Sequence, residues 1–167
     1  MMTVRLRLAA MLTRWFFTER GRAPAPVSRL TMRCGLFDCD INRHMNNSRY
    51  LALMDLGRYH LTLVSGLGRE LWRRRWFPVL VRAEIDFKRS LKPGDRFVLE
   101  TSLAEVGTKR VVLAQRFWLG ETLAAEALVT GVFVHRGKGQ PLAELLEGFR
   151  DLWPEIDASL AQGSTSA

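Results

Sequence analysis

Between positions 38 and 50 the chain reads Asp38-Cys39-Asp40-Ile41-Asn42-Arg43-His44-Met45-Asn46-Asn47-Ser48-Arg49-Tyr50, a dense run of side chains able to do chemistry. Asp38 and Asp40 are carboxylates, His44 can relay a proton, and Asn46 or Asn47 is placed to cap the apolar helix that follows. An aspartate in a turn just before a helix lies near that helix's free N–H groups, where the helix dipole favours negative charge. Such a carboxylate can cap the helix and stabilise the turn. It can also attack a carbonyl carbon, or activate water against one, while the N–H groups hold the oxyanion that forms. The residue types alone leave both readings open. Two further candidates for chemistry, Cys34 and Cys39, lie five positions apart. They are too few for tetrahedral zinc, and no nearby histidine pair completes a site, so no metal is expected. Reduced thiols and a cytoplasmic setting are expected instead.

These residues need elements to hold them. Ser48 to Leu67 reads as a long helix: Leu53, Leu56, Leu63 and Leu67 share a face, and Leu51, Met54 and Leu61 make much of the remainder apolar. A helix apolar nearly all round is expected to be buried on most sides. Residues 27–37 look extended. After an insertion-like loop, ELWRRRWFP, Val79, Val81, Ala83, Ile85 and Phe87 alternate with Leu80, Arg82, Glu84, Asp86 and Lys88, which predicts a strand with one buried face. Turns at Lys92–Asp95, Gly107-Thr108 and Gly120-Glu121 separate three more strands, so the four are expected to form an antiparallel meander. The expected architecture is α+β, a curled antiparallel five-stranded sheet wrapped around the long helix.

The ends are additions to that unit. Residues 1–26 are expected to form an amphipathic basic helix and linker, with Val4, Leu8, Met11, Leu12, Trp15 and Phe16 near one face and Arg5, Arg7 and Arg14 mostly elsewhere. This helix either packs on the domain or lies on an anionic membrane surface. The core domain covers 27–140, a C-terminal helix 141–160, and a disordered tail 161–167. No run approaches the roughly 20 apolar residues of a membrane span. The formal net charge of +8 attracts polyanions, among them nucleic acid, anionic lipid and small molecules carrying several phosphates. The basic residues are scattered over many turns and no nucleic-acid motif is present, which argues against nucleic acid as partner.

The run from Asp38 to Tyr50 resembles the D-x-D-x-x-G-H-V-N-N-x-x-Y signature of 4-hydroxybenzoyl-CoA thioesterase-like hotdog proteins. It looks closer still to the branch containing thioesterase superfamily member 6, where H-M-N-N-x-R-Y is typical. VRAEIDFKRSLKPGDRF, residues 81–97, resembles the family's second strand and following turn, and the likeness covers roughly 28–137. The resemblance implies a hotdog fold and acyl-CoA thioesterase activity without a cofactor, coenzyme A being part of the substrate. It makes Asp40 the catalytic base or nucleophile, with His44 assisting and the backbone N–H near Asn47 as oxyanion donor. It matches Tyr50 and Asp55 to helix positions, Tyr50 lining an acyl pocket and Asp55 bonding to the loop or across an interface. Basic residues at strand ends and turns, Lys88, Arg89, Lys92, Lys109 and Arg110, are the places to look for coenzyme A phosphates, and the resemblance favours Lys109 and Arg110. A homodimer or homotetramer is implied; the apolar helix and the many large side chains favour a medium or long acyl group over a small polar one. One departure stands out: Arg43 occupies the family's glycine position, where it would either change the turn or point outward towards a phosphate. That substitution and the basic N-terminus favour the alternative, a non-catalytic acyl-CoA or lipid-binding hotdog protein.

Overall fold

The computed structural model describes residues 4–154. Its elements are α1 (Val4–Arg14) with a further π-helical turn (Trp15–Glu19), β1 (Val27–Arg33), a 3₁₀ turn (Leu36–Asp38), α2 (Asn47–Val64), α3 (Leu67–Arg74), β2 (Phe77–Phe87), β3 (Arg96–Val106), β4 (Arg110–Leu119), β5 (Thr122–His135), the two-residue β6 (Lys138–Gly139) and α4 (Ala143–Glu147). The sheet runs β1-β3-β4-β5-β2, antiparallel throughout, with β6 added to β5. It curls around α2 as expected for a hotdog fold. The register lines up Leu30, Leu99, Phe117, Ala125 and Phe87 across all five strands. The first four are buried and form one core cluster with Leu53 and Met54 of α2. Farther along the same helix, Leu61 joins a second cluster with Phe133, Leu145, Leu146 and Trp153.

Helix and sheet approach most closely at Gly57, where a Cβ would lie 2.4 Å from Thr101 Oγ1. Around that point the buried Gln115 donates from Nε2 to the Met54 carbonyl and to Thr101 Oγ1, both at 2.9 Å, and accepts from Arg58 at 2.7 Å. Every polar atom of that amide is paired, which removes the cost of burying it and locks helix to sheet.

The sequence expectation of a four-strand meander is corrected. β3, β4 and β5 form one, but β2 pairs with β5 at the far edge, because both edges of β3 are taken by β1 and β4. The connection 88–95 is therefore a crossing from one side of the sheet to the other. It passes the start of α2, where the fully buried Leu91 accepts the Met45 N–H at 2.8 Å. A second correction concerns β2 itself. Its apolar alternation buries no face within the chain; Val79, Val81 and Phe87 are exposed, and only Ile85 is half-covered. A third concerns ELWRRRWFP, expected as a loop. Its first residues continue α3, held by the buried Leu71 and by Glu70 pairing with Arg73 at 2.6 Å. Gly66 enters its left-handed conformation between α2 and α3, which ends the long helix three residues earlier than the periodicity suggests. α2 is also less enclosed than its composition predicts, since Leu51, Asp55 and Tyr59 present an open stripe.

At the N-terminus, α1 packs on the domain through Val4, Leu8 and Met11. Its arginines are not all solvated, however. Arg7 is 6% exposed, and pairs with Asp38. At the other end Trp153 is buried and donates to the Pro26 carbonyl at 3.0 Å, which straps the C-terminal segment to the linker. Of the expected C-terminal helix 141–160, the described part 141–154 holds the five-residue α4; positions 155–160 and the tail 161–167 lie outside the described residues.

Candidate active site

The loop between β1 and α2 is built in two steps. First, Asp38 folds inward: its Oδ2 accepts the Gly35 N–H at 2.8 Å and the Arg7 guanidinium, and its carbonyl accepts the Asn46 N–H at 2.8 Å. The sequence reading gave Asp38 no more than a turn; it is the buried peg of the loop. Second, residues 39–45 close into a small hairpin. Cys39 and Met45 bridge its base, Asp40 N–H donates to the His44 carbonyl at 2.9 Å, and Arg43 N–H donates to the Asp40 carbonyl at 3.0 Å. The chain can reverse this tightly only if one residue takes the left-handed conformation that glycine adopts freely. Arg43 takes it, with φ 59°. The left-handed conformation that a glycine would permit is thus adopted here by an arginine, at a strain of about 1–2 kcal/mol.

Asp40 itself is exposed. Its Oδ1 accepts the Asn42 N–H at 2.8 Å and, weakly, the His44 N–H at 3.5 Å, while Oδ2 has no hydrogen-bond partner among the described residues. Beside it α2 begins. Asn46 is the cap residue, as one of the two sequence options had it, and its side chain accepts the Ser48 N–H at 2.9 Å. The next donor, the Asn47 N–H, is left without a partner among the described residues. A free donor at the positive end of an 18-residue helix and a carboxylate oxygen free to react thus share one cleft.

That cleft, of about 240 Å³, is lined by Asp40, His44, Met45, Asn47, Tyr50, Phe87, Lys88, Arg89 and Ser90. The structure therefore brings together six of the ten expected site residues: Asp40, His44, Asn47, Tyr50, Lys88 and Arg89. Tyr50 is the floor, its ring edge-on to Phe87 and Phe117 at 5.0 and 4.9 Å; burial pushes its phenol up from the ordinary value. Lys88 is held by Glu126 at 2.6 Å, an ion pair that keeps the Glu126 carboxyl below the usual range. Arg89 has no such carboxylate among the described residues. Ser90, Phe87 and Met45 were not singled out from the sequence. Phe87 and Ser90 reach the cleft because β2 ends, and the 88–95 connection crosses, beside the start of α2, a topology that no local pattern announces.

Four expected residues lie elsewhere. Arg43 is exposed on the turn and does not line the cleft. Asp55 sits eight residues, about 12 Å, along α2 and pairs with Arg58. Lys109 lies in the β3–β4 turn and Arg110 opens β4. Arg110 pairs with Val132, and Val132 with Val79, so they are level with the end of β2 remote from Phe87. Eight residues of strand separate those ends, roughly 26 Å.

Asp55 does line a second cavity, of about 150 Å³, whose walls are mainly apolar: Leu61, Leu80, Val111, Leu113 and Phe133 among them. It lies between α2 and the first half of β2. The thiols Cys34 and Cys39 are free and 3.4 Å apart, beside the 3₁₀ turn rather than in the cleft. Among the described residues no group of three or more His, Cys, Asp or Glu side chains is placed to hold a metal.

Comparison with known proteins agrees with this geometry. Residues 34–157 match the model of the thioesterase-like superfamily. Protein THEM6 of Drosophila melanogaster is 29% identical over 100 residues, 59% of this chain; the match spans only 52% of that relative's length. Among solved structures, YbaW of Escherichia coli, a probable thioesterase, superposes with TM-score 0.67 at 22% identity, covering 75% of this chain and 98% of that one. The gentisyl-coenzyme A thioesterase BH1999 gives 0.62 at 21%, covering 71% and 98%. Staphylococcus aureus SAV2348, solved in complex with CoA, gives 0.69 at 16%, covering 81% and 89%. At such identities these likenesses speak for the fold. With the family model covering most of its length, the chain belongs to the thioesterase-like superfamily and has the hotdog fold.

Proposed function

We propose that the protein is an acyl-CoA thioesterase that uses Asp40 as base or nucleophile and the Asn47 N–H as oxyanion donor. The observation that carries this reading is the meeting of an unengaged Asp40 oxygen and an unengaged α2 N–H in one cleft. In the direct route Asp40 attacks the thioester carbon, the thiolate leaves, and water hydrolyses the resulting anhydride. In the alternative route Asp40 takes a proton from water, which then attacks. Either way the carbonyl oxygen becomes anionic next to the helix start, where a fixed donor favours the transition state. His44 stands in the cleft to pass a proton to the leaving sulfur. No metal or redox group has a part in this reaction.

In this reading the acyl group leads from Asp40 towards the apolar cavity between α2 and β2 near Leu80 and Phe133, and a medium or long chain is the proposed substrate. Arg89 and Lys88 meet the coenzyme A phosphates from the same chain. Lys109 and Arg110 meet them from a second copy. β2 is an edge strand of eleven residues with apolar side chains exposed, the kind of edge that pairs with another chain. Two-fold pairing there turns the partner's remote end towards Asp40. A homodimer is thus part of the proposal, and so is a cytoplasmic setting. The alternative, an acyl-CoA or lipid binder without turnover, drew on Arg43 and on the basic N-terminus, and the left-handed conformation of Arg43 weakens the first of these supports.

The test is thiol release from a panel of acyl-CoA esters. Asp40→Asn preserves the turn acceptor Oδ1 and removes the charge, and is expected to lower the rate by about a hundredfold or more. Equal activity in both proteins would move the chemistry away from Asp40. Tight acyl-CoA binding with no turnover in either would favour the binding protein.

A further inference from the structure

A concentration of cationic groups lies away from the Asp40 cleft and shares no lining residue with it. A cleft of about 610 Å³ runs between α1 and β1, and its walls carry Arg7, Arg14, Arg33 and Arg96 beside Met11 and Met32. Arg7, Met11 and Arg14 follow the i, i+4, i+7 spacing of one helix face. Arg33 and Arg96 are directly opposite one another in the β1–β3 register. Like charges at such a position repel and destabilise the pair.

The nearby carboxylates do not relieve this. Asp38 is committed to Arg7 and the Gly35 N–H, and Asp95 turns back to accept the Lys92 N–H at 2.8 Å. Glu19 reaches only the Nε of Arg14, at 3.3 Å, and its other oxygen is taken by His60. Neither Arg33 nor Arg96 has an acidic partner within ion-pair distance among the described residues. Arg33 is instead steered by a hydrogen bond from its Nε to the Gly94 carbonyl at 3.0 Å. Arg7 adds an independent sign. It is 6% exposed, yet its Nε and Nη1 have no partner among the described residues, since Asp38 and the Arg33 carbonyl both use Nη2.

We propose that this cleft is a phosphate-binding site whose ligand is the phosphate of an anionic amphiphile. A phosphate between Arg33 and Arg96 satisfies two guanidinium forks and converts their repulsion into a shared attraction. Met11, Met32 and the cleft's other apolar wall residues suit a hydrocarbon neighbour to that phosphate. Just beyond Arg14, Phe16 and Phe17 are exposed, Phe17 at 78%, where they can enter the acyl boundary of a bilayer. A lipid headgroup and a free phosphate offer the same recognised chemistry. The site is independent of the thioesterase reading and stands or falls without it.

The test uses the full chain. Its cosedimentation with phosphatidylcholine vesicles is compared with and without phosphatidic acid, and inorganic phosphate binding is followed separately by phosphorus NMR. Arg33→Thr/Arg96→Thr is set against a charge-matched control, Arg136→Asn/Lys138→Ser, on the exposed β5–β6 turn. Wild type and control are expected to bind phosphatidic acid vesicles, and the Thr variant about tenfold or more weakly. Phosphate binding that the Thr variant also loses makes free phosphate a sufficient ligand; its absence, with vesicle binding intact, assigns the site to lipid. Equal loss in both variants would reduce the effect to bulk charge and overturn the site, as would no binding of either ligand by wild type. Arg96→Thr alone repeats the comparison should the double variant melt early.

Discussion

The two edges of the sheet are treated in opposite ways. Along β1 the chain supplies its own flank: α1 packs beside the edge, and Arg7 ties it to the Arg33 carbonyl and to Asp38. Along β2 nothing in the described residues covers the outer side, and ten of its eleven residues are exposed. One edge is polar, cationic and flanked by a helix that lies outside the matched family region 34–157. The other is apolar and lies within it. A sheet edge must be covered, blunted or paired. The contrast sets an edge that the chain flanks itself against one that it leaves open, and the proposed dimer would pair the open one.

The largest effect should come from breaking the flanked edge. Arg7→Met leaves Asp38 buried without its counter-charge, and a loss of about 3–5 kcal/mol in urea unfolding is expected. Adding Asp38→Asn should recover a good part of it, since no bare charge is then left inside. If Arg7→Met costs no more than an exposed arginine does, α1 is not anchored through this pair. The open edge is probed next. Val81 is exposed and sits at the bulge in the β2–β5 register, so Val81→Lys should leave the monomer stable. It is expected to weaken dimerisation by about a hundredfold, read by sedimentation, and to lower thioesterase activity with it. A wild type that is monomeric at high concentration would end the comparison.

Two smaller effects sharpen it near the cleft. Arg43→Gly removes the left-handed strain and should stabilise the protein by about 1 kcal/mol, with activity within a few-fold of wild type. A large rise in KM instead would give the Arg43 side chain a role in binding. Cys34, beneath the flanked side, is pushed up to about 12, first by burial and then by Cys39. The fold favours the neutral thiol, so this contribution is present below the ordinary thiol value and is lost as pH rises towards 12. Alkylation of Cys34 by iodoacetamide at about pH 8 should be slower in the folded protein than after unfolding by about tenfold or more.

Much of this was readable in the residues. The run from Asp38 to Tyr50 announces a polar turn before a capped apolar helix, and the structure bears out both the turn and an asparagine cap. Such features depend on neighbours a few positions away, so sequence carries them directly. Arg43 is the instructive exception among local features. Its conformation is set by the hairpin that Cys39 and Met45 close, and intrinsic preference alone argues against it.

Strand alternation, turns and element order, together with the motif, determined the hotdog architecture, because periodicity reports which side chains can share a face. Tertiary structure alone decided the rest. β2 goes to the far edge because β3 has no free side, and that crossing carries Lys88, Arg89 and Ser90 to Asp40. Arg7 reaches Asp38 across 31 residues, and Arg33 meets Arg96 across two strands. These contacts join positions far apart in sequence. Their energies depend on which edges remain unpaired and which charges are shut away from water, and one-dimensional spacing encodes neither.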